Sequence, residues 1–89
     1  MEMEGETTPQ MRLAVLAIIL ESTQQASAVN ALLHEYESHI AARMGLPFRK
    51  RGVNIISVVV EASLDDINTL SGRLGRIPGV TAKAVFSRK

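Results

Sequence analysis

The sequence of 89 residues contains no cysteine and no tryptophan, and its aromatic residues are limited to Tyr36, Phe48 and Phe86. Without a thiol, the chain can form no disulfide, no thiolate nucleophile, no cysteine-ligated zinc site and no iron–sulfur cluster. RNA-recognition domains stack bases on aromatic side chains of their central strands. The scarcity of aromatic residues therefore argues against RNA binding.

Long hydrophobic runs are also missing. The longest uninterrupted apolar run, residues 13–20, is far shorter than the roughly 20 residues that a membrane-spanning helix needs. No signal peptide precedes this run, so we expect a cytoplasmic protein without a membrane partner. Residues 1–10 lack apolar periodicity and are predicted to be a disordered N-terminal tail, followed by a single domain over residues 11–89.

Positive charge is present in only slight excess, with a net charge of +1 at pH 7. Three of the nine acidic residues lie within residues 1–10, whereas all ten basic residues lie at Arg12 or later. The only cluster of bases, residues 49–51, has a size typical of a solvated turn. Because a dedicated DNA-binding face concentrates more charge, we expect no direct, specific binding of nucleic acid.

Four segments have the patterns of strands. The branched, apolar run 13–20 indicates a strand that is apolar on both faces and central in its sheet. In the next segment, Ile40 starts a two-residue alternation typical of a half-buried strand, and Pro47 marks an edge position. A turn at 49–52 makes a hairpin with the following strand. The three later strands are predicted at 40–48, 53–60 and 80–86.

Two helices are predicted from serine caps that precede apolar residues at helical spacing. The first begins near Thr23, after Ser22, and ends near Glu37. The second follows Ser63 and closes at Gly75. The residues predicted to pack these helices are Val29, Leu32, Leu33, Ile67, Leu70 and Leu74.

The predicted order of elements is strand, helix, strand, strand, helix, strand. Right-handed crossovers would place both helices on one face of a four-stranded antiparallel sheet, which is the α+β ferredoxin-like β-α-β-β-α-β sandwich. The other sheet face would be left uncovered and apolar, more so than a monomer usually tolerates. We therefore expect a homo-oligomer, a dimer or a tetramer, that pairs through sheets or sheet edges.

Several segments resemble known families. Residues 70–80, LSGRLGRIPGV, resemble the helix–turn–strand closure of ACT and related small-molecule-sensing domains. Four blocks in order resemble the iron-only hydrogenase system regulator family, over about residues 12–87: VNALLHEY at 29–36, RMGLPFR at 43–49, VNIISV at 53–58 and LSGRLG at 70–75. The resemblance implies one ACT-like domain, similar to the C-terminal domain of nickel-responsive repressors, without a DNA-binding domain of its own.

The turn after the first strand is the candidate effector site. Backbone amides at the start of the first helix and the hydroxyls of Ser22 and Thr23, beside Glu21, could hold an anionic group against a neighbouring subunit. ACT domains that bind amino acids usually carry glycine in this turn, and this sequence has none there. The absence of glycine therefore argues against an amino acid as the effector.

His34 and His39 are the candidate metal ligands. Flanked by Glu35 and Glu37, they could form part of a metal site completed across a dimer, although helix ends also carry such residues as solvated side chains. The planar nickel site of the nickel-responsive repressors uses cysteine and several histidines, so it cannot be assembled here. We expect no cofactor.

Two functional hypotheses follow. The first is a regulatory, ligand-sensing ACT-like module that works as a homo-oligomer, in the regulation of an iron-only hydrogenase system. The alternative is a metal-handling or assembly accessory protein without a small-molecule effector. We expect no enzyme, because no catalytic triad or phosphate loop is recognisable. Gly72 and Gly75 end a helix, and they are expected instead to allow close approach of a neighbour and a left-handed cap.

Overall fold

A computed structural model describes residues 10–89. The elements follow the order β-α-β-β-α-β, which confirms the predicted ferredoxin-like fold. Their bounds are β1 Met11–Leu20, α1 Ala26–Glu35, β2 Ile40–Phe48, β3 Val53–Ser63, α2 Leu64–Gly75 and β4 Val80–Phe86, with short 3-10 turns at Thr23–Gln25 and Glu37–His39. Of the predicted tail, residues 1–9 lie outside the described residues.

The four strands form one antiparallel sheet in the order β2-β3-β1-β4. The apolar strands β1 and β3 are central, as their composition predicts. In this register Leu16 lies opposite Val58 on one side and Ala84 on the other. Every second residue of β1 and β3 is buried on the helix-covered face, so the opposite residues face the other way.

The two helices pack on the sheet through the predicted residues. All six apolar positions named above are buried, three from α1 and three from α2. The Ser63 hydroxyl caps α2 by accepting a hydrogen bond from the amide of Asp66 at 3.1 Å. Within residues 10–89, neither helix has the length and apolar character that a membrane crossing requires.

Strand β2 departs from the sequence prediction in the face that its apolar residues occupy. In the register that begins at the hairpin turn, Met44 pairs with Ser57 on the uncovered face, and a bulge between Ile40 and Ala42 changes the pairing only at the start of the strand. The apolar row that was predicted to be half-buried is therefore exposed in the single chain. Its alternate residues, Arg43 and Gly45, lie on the helix-covered side, opposite Val58 and Ile56.

Within the single chain, the glycines near the end of α2 do not have the predicted roles, and close approach of another subunit at Gly72 stays a prediction. A β-carbon at Gly72 would meet no atom within 4 Å, so no close approach to the sheet requires glycine there. Gly75 is an ordinary helical residue, and the left-handed conformation falls at Gly79, with φ of 83°. A β-carbon at Gly79 would also displace the amide end of the Gln25 side chain, but the left-handed backbone is the reason that this turn needs glycine.

Candidate functional site

The sheet face without helices is the largest apolar surface in the described part of the chain. Residues 10–89 expose nine large hydrophobic side chains in all. Eight of the nine lie on this face, and the exception is Leu64. We call these eight residues the uncovered face: Met11, Leu13, Val15, Ile19, Met44, Leu46, Phe48 and Val85. They come from β1, β2 and β4, so the apolar surface crosses the sheet.

The uncovered face is large enough to support association. Strands spaced about 4.8 Å apart and rising about 3.3 Å per residue give this sheet a face of roughly 500 Å² in projection. Soluble monomers rarely expose contiguous apolar patches beyond a few hundred Å². Glu61 and Lys83 share this face and carry opposite charges, so two such faces would not repel each other.

The turn between β1 and α1 holds the predicted effector residues. The amide of Glu21 donates to the carbonyl of Gly79 at 2.9 Å, which fastens this turn to the α2–β4 turn. The amide and the hydroxyl of Ser22 both donate to Oε1 of Gln25 at 3.1 Å. Because the Ser22 hydroxyl also accepts from the amide of Gln24, it serves mainly as a helix cap.

Thr23 is exposed and lines a groove of about 330 Å³ between the start of the first helix and the β2–β3 hairpin. The other residues lining this Thr23 groove are Pro47, Arg49, Gly52, Val53 and Asn54. Arg49 is the only charged residue among them, so the groove favours an anion. The sequence analysis assigned Arg49 to a solvated turn, because no local pattern shows that the hairpin folds beside Thr23.

The two histidines occupy the other end of α1. Nδ1 of His34 lies 3.4 Å from Oε1 of Glu37, and both side chains are exposed. His39 ends the short turn that leads into β2. Nowhere in residues 10–89 do three side chains of the histidine, aspartate or glutamate type gather as a metal site would require.

An ion pair that the sequence analysis did not identify joins the ends of the two helices. Arg73 of α2 donates to both carboxylate oxygens of Glu35 at 3.0 and 3.3 Å, and its Nη1 lies 3.4 Å from the Tyr36 hydroxyl. The bonds to Glu35, and then to Tyr36, raise the pKa of Arg73 above its ordinary value. The pair is exposed, so it contributes little to the stability of the fold.

Comparison with known proteins identifies one matching family model. Residues 12–84 match the TM1266-like model, which carries the description "Iron-only hydrogenase system regulator, putative". Among solved structures, the chain is similar to the protein TM1266 from Thermotoga maritima, with 38% sequence identity and a TM-score of 0.84. That match covers 89% of this chain and 100% of the other. A search of curated proteins found no match to this chain.

Two more distant structures share the fold. The ACT domain from GTP pyrophosphokinase of Chlorobium tepidum is 18% identical with a TM-score of 0.73, over 85% of this chain and 100% of that one. A formyltetrahydrofolate deformylase from Pseudomonas putida KT2440 is 16% identical with a TM-score of 0.61, over 82% of this chain and 28% of that one. At these identities the likeness shows an ACT-like fold alone.

Proposed function

The chain belongs to the TM1266-like family, and from this membership we propose that it is a regulatory module that senses a small molecule as a homo-oligomer. The family description connects it with regulation of an iron-only hydrogenase system. We propose that the module acts without catalysis, through a change that ligand binding transmits to a protein partner. A role in transcription would require that this partner supply the DNA-binding domain.

The observation that carries the proposal is the uncovered face. A domain of this size buries a small core, and pairing its apolar sheet face with a second copy removes that face from water. At roughly 25 cal/mol per Å² of apolar surface, several hundred Å² per subunit would outweigh the entropy lost on association. The opposite charges of Glu61 and Lys83 leave the pairing free of net repulsion.

We propose that the effector binds in the Thr23 groove, which Glu21 and Ser22 do not line although they belong to the same turn. The exposed hydroxyl of Thr23 and the guanidinium of Arg49 can donate to one anionic group. Ser22 contributes by holding the turn in place, because its own polar atoms bond to Gln25 and to the amide of Gln24. A neighbouring subunit would close this open groove.

The alternative function, handling of a metal or assembly without an effector, has one supporting contact, between His34 and Glu37. Two ligands leave a metal site incomplete, so this function needs further ligands from another subunit, for which His39 is a candidate. Exposed histidine and glutamate side chains are also common at helix ends, where they are solvated and bind no metal.

Native mass spectrometry of the purified protein tests the proposal directly. The expected result is an oligomer that retains a small organic anion, and Thr23→Val combined with Arg49→Gln should remove the anion but keep the oligomer. A matched control, Ser27→Ala on α1, should leave both unchanged. An oligomer that retains a divalent metal, lost in His34→Ala, would favour the alternative function. A monomer without any bound mass would contradict the proposal.

A further inference from the structure

A second groove lies between α1 and β2, on the helix-covered side of the sheet and within one chain. Its volume is about 280 Å³, near the lower limit for pockets that bind small molecules. The core residues Leu20 and Ile56 form its floor, and Asn30, Arg43 and Asn54 contribute its polar atoms. We call it the α1–β2 groove.

Gly45 creates much of the space in this groove. It lies opposite Ile56 in the sheet, so a side chain at position 45 would project over the floor. A β-carbon there would meet no atom within 4 Å, and the backbone of Gly45 is not left-handed. Glycine inside a strand lowers stability by about 0.5–1 kcal/mol relative to alanine, and no contact in the described chain requires it. Such glycines often mark the close approach of a ligand.

Arg43 supplies the only charge in the lining of the α1–β2 groove. Its Nη2 donates to Oδ1 of Asn30 at 2.7 Å, and the described residues provide no other side-chain acceptor for it. Asn30 is neutral, so it orients the guanidinium without compensating its charge. Of the five N–H donors of a guanidinium, those not used by Asn30 can pair with a carboxylate in a planar, two-bond geometry.

From these observations we infer that the α1–β2 groove binds a small monocarboxylate with a short, branched apolar tail. The carboxylate pairs with Arg43, and the tail lies over Gly45 against Ile56. No acidic side chain lines the groove, so an ammonium group has no counter-ion there. A simple carboxylic acid should therefore bind better than an amino acid with the same tail. The site is complete in one chain. It adjoins the Thr23 groove, with which it shares Pro47 and Asn54, but its charged residue is Arg43 and not Arg49.

The test is an NMR titration of the full-length, nitrogen-15-labelled protein with 4-methylpentanoate. We expect saturable shifts of the backbone amides of Gly45, Leu46 and Ile56, which line this groove and not the Thr23 groove, with a millimolar dissociation constant suited to so small a ligand. The uncharged 4-methylpentanamide should bind about 10- to 100-fold more weakly, because it loses the charge-assisted bonds to Arg43. L-leucine should also bind more weakly than 4-methylpentanoate.

Two variants separate the groove from general effects of folding and charge. Gly45→Val should fold, since nothing occupies that space and valine favours strands, and it should abolish binding by filling the groove. Arg43→Gln should weaken binding at least 10-fold, whereas Arg51→Gln, the same charge change in the hairpin turn, should not. Native-like spectra of both variants establish that they are folded.

Three results would overturn the inference. The first is the absence of saturable shifts at millimolar 4-methylpentanoate, and the second is unchanged binding in folded Gly45→Val. The third is a set of shifts confined to Thr23 and Gly52, which would assign the ligand to the Thr23 groove. None of these results bears on whether the protein is an oligomer, so this inference and the proposed function can fail separately.

Discussion

Replacing Val15 with lysine is predicted to dissociate the oligomer while the single chain stays folded. Val15 lies in the central strand β1, between Val59 on β3 and Val85 on β4. Its relative exposure of 41% in the single chain leaves room for a lysine side chain to reach water. In a face-to-face dimer the same position would lie near the centre of the buried interface.

The expected magnitude follows from that difference in surroundings. An unpaired charge buried in an interface costs several kcal/mol even after relaxation, and a symmetric dimer would bury two of them. A total of about 4–6 kcal/mol corresponds to a rise in the dissociation constant of roughly 1,000-fold or more. In the monomer, the change is limited to the strand preferences of valine and lysine, about 1 kcal/mol at most.

Sedimentation velocity at micromolar protein concentration is the assay, with circular dichroism as a check on folding. Ala31→Lys is the matched control. Ala31 is exposed on α1, so this substitution introduces the same charge away from the sheet. A wild-type protein that sediments as a 9.7 kDa monomer would refute the reasoning. Equal association of the Val15→Lys and Ala31→Lys variants would show that another surface mediates the oligomer.

Further predictions concern stability and DNA. Leu70→Ala should lower the free energy of unfolding by about 2–5 kcal/mol in urea titrations, because the side chain is fully buried, and a loss well under 1 kcal/mol would contradict docking of α2. Gly79→Ala should destabilise the fold by about 1 kcal/mol or more, because the backbone there is left-handed. Gly72→Ala should stabilise it by up to about 1 kcal/mol, because Gly72 is helical and has free space around it. Thermal melts that reverse this order would refute the assigned backbone roles. Arg73→Gln should leave the free energy of unfolding nearly unchanged, since its ion pair is exposed, and a clear loss in the same titrations would show that the pair is structural. The isolated protein should shift DNA only weakly and without sequence preference in gel assays at physiological salt, and nanomolar, selective binding would contradict this.

The element order and the helix packing were predictable because their signals are local. Caps such as Ser22 and Ser63 precede apolar residues at helical spacing, and both caps form the expected hydrogen bonds. The branched run of β1 is also a local signal. It is apolar at successive positions, which lie on opposite faces of a strand, and this pattern is typical of a central strand. The family membership was likewise visible in short sequence patterns.

The composition of the candidate sites was less predictable, because it depends on contacts between distant segments. Thr23 and Arg49 line one groove only after the hairpin folds back beside the first helix. Arg73 and Glu35 pair across two helices whose relative position no local pattern specifies. Ser22 lies in the predicted turn. The sequence alone could not show whether its polar atoms bond to Gln25, as they do, or remain available to a ligand.

Strand β2 shows how one register decides both candidate surfaces. Alternation along a strand gives two sets of residues, but it does not say which set faces the helices. The hairpin turn fixes that choice, because Phe48 pairs with Val53 and the same register carries Met44 to Ser57 on the uncovered face. The same register directs Arg43 and Gly45 toward α1, where they line the α1–β2 groove. The apolar surface proposed for association and the groove proposed for a carboxylate therefore share a single structural cause, and a slip of this register by one residue would exchange the two sets and remove both.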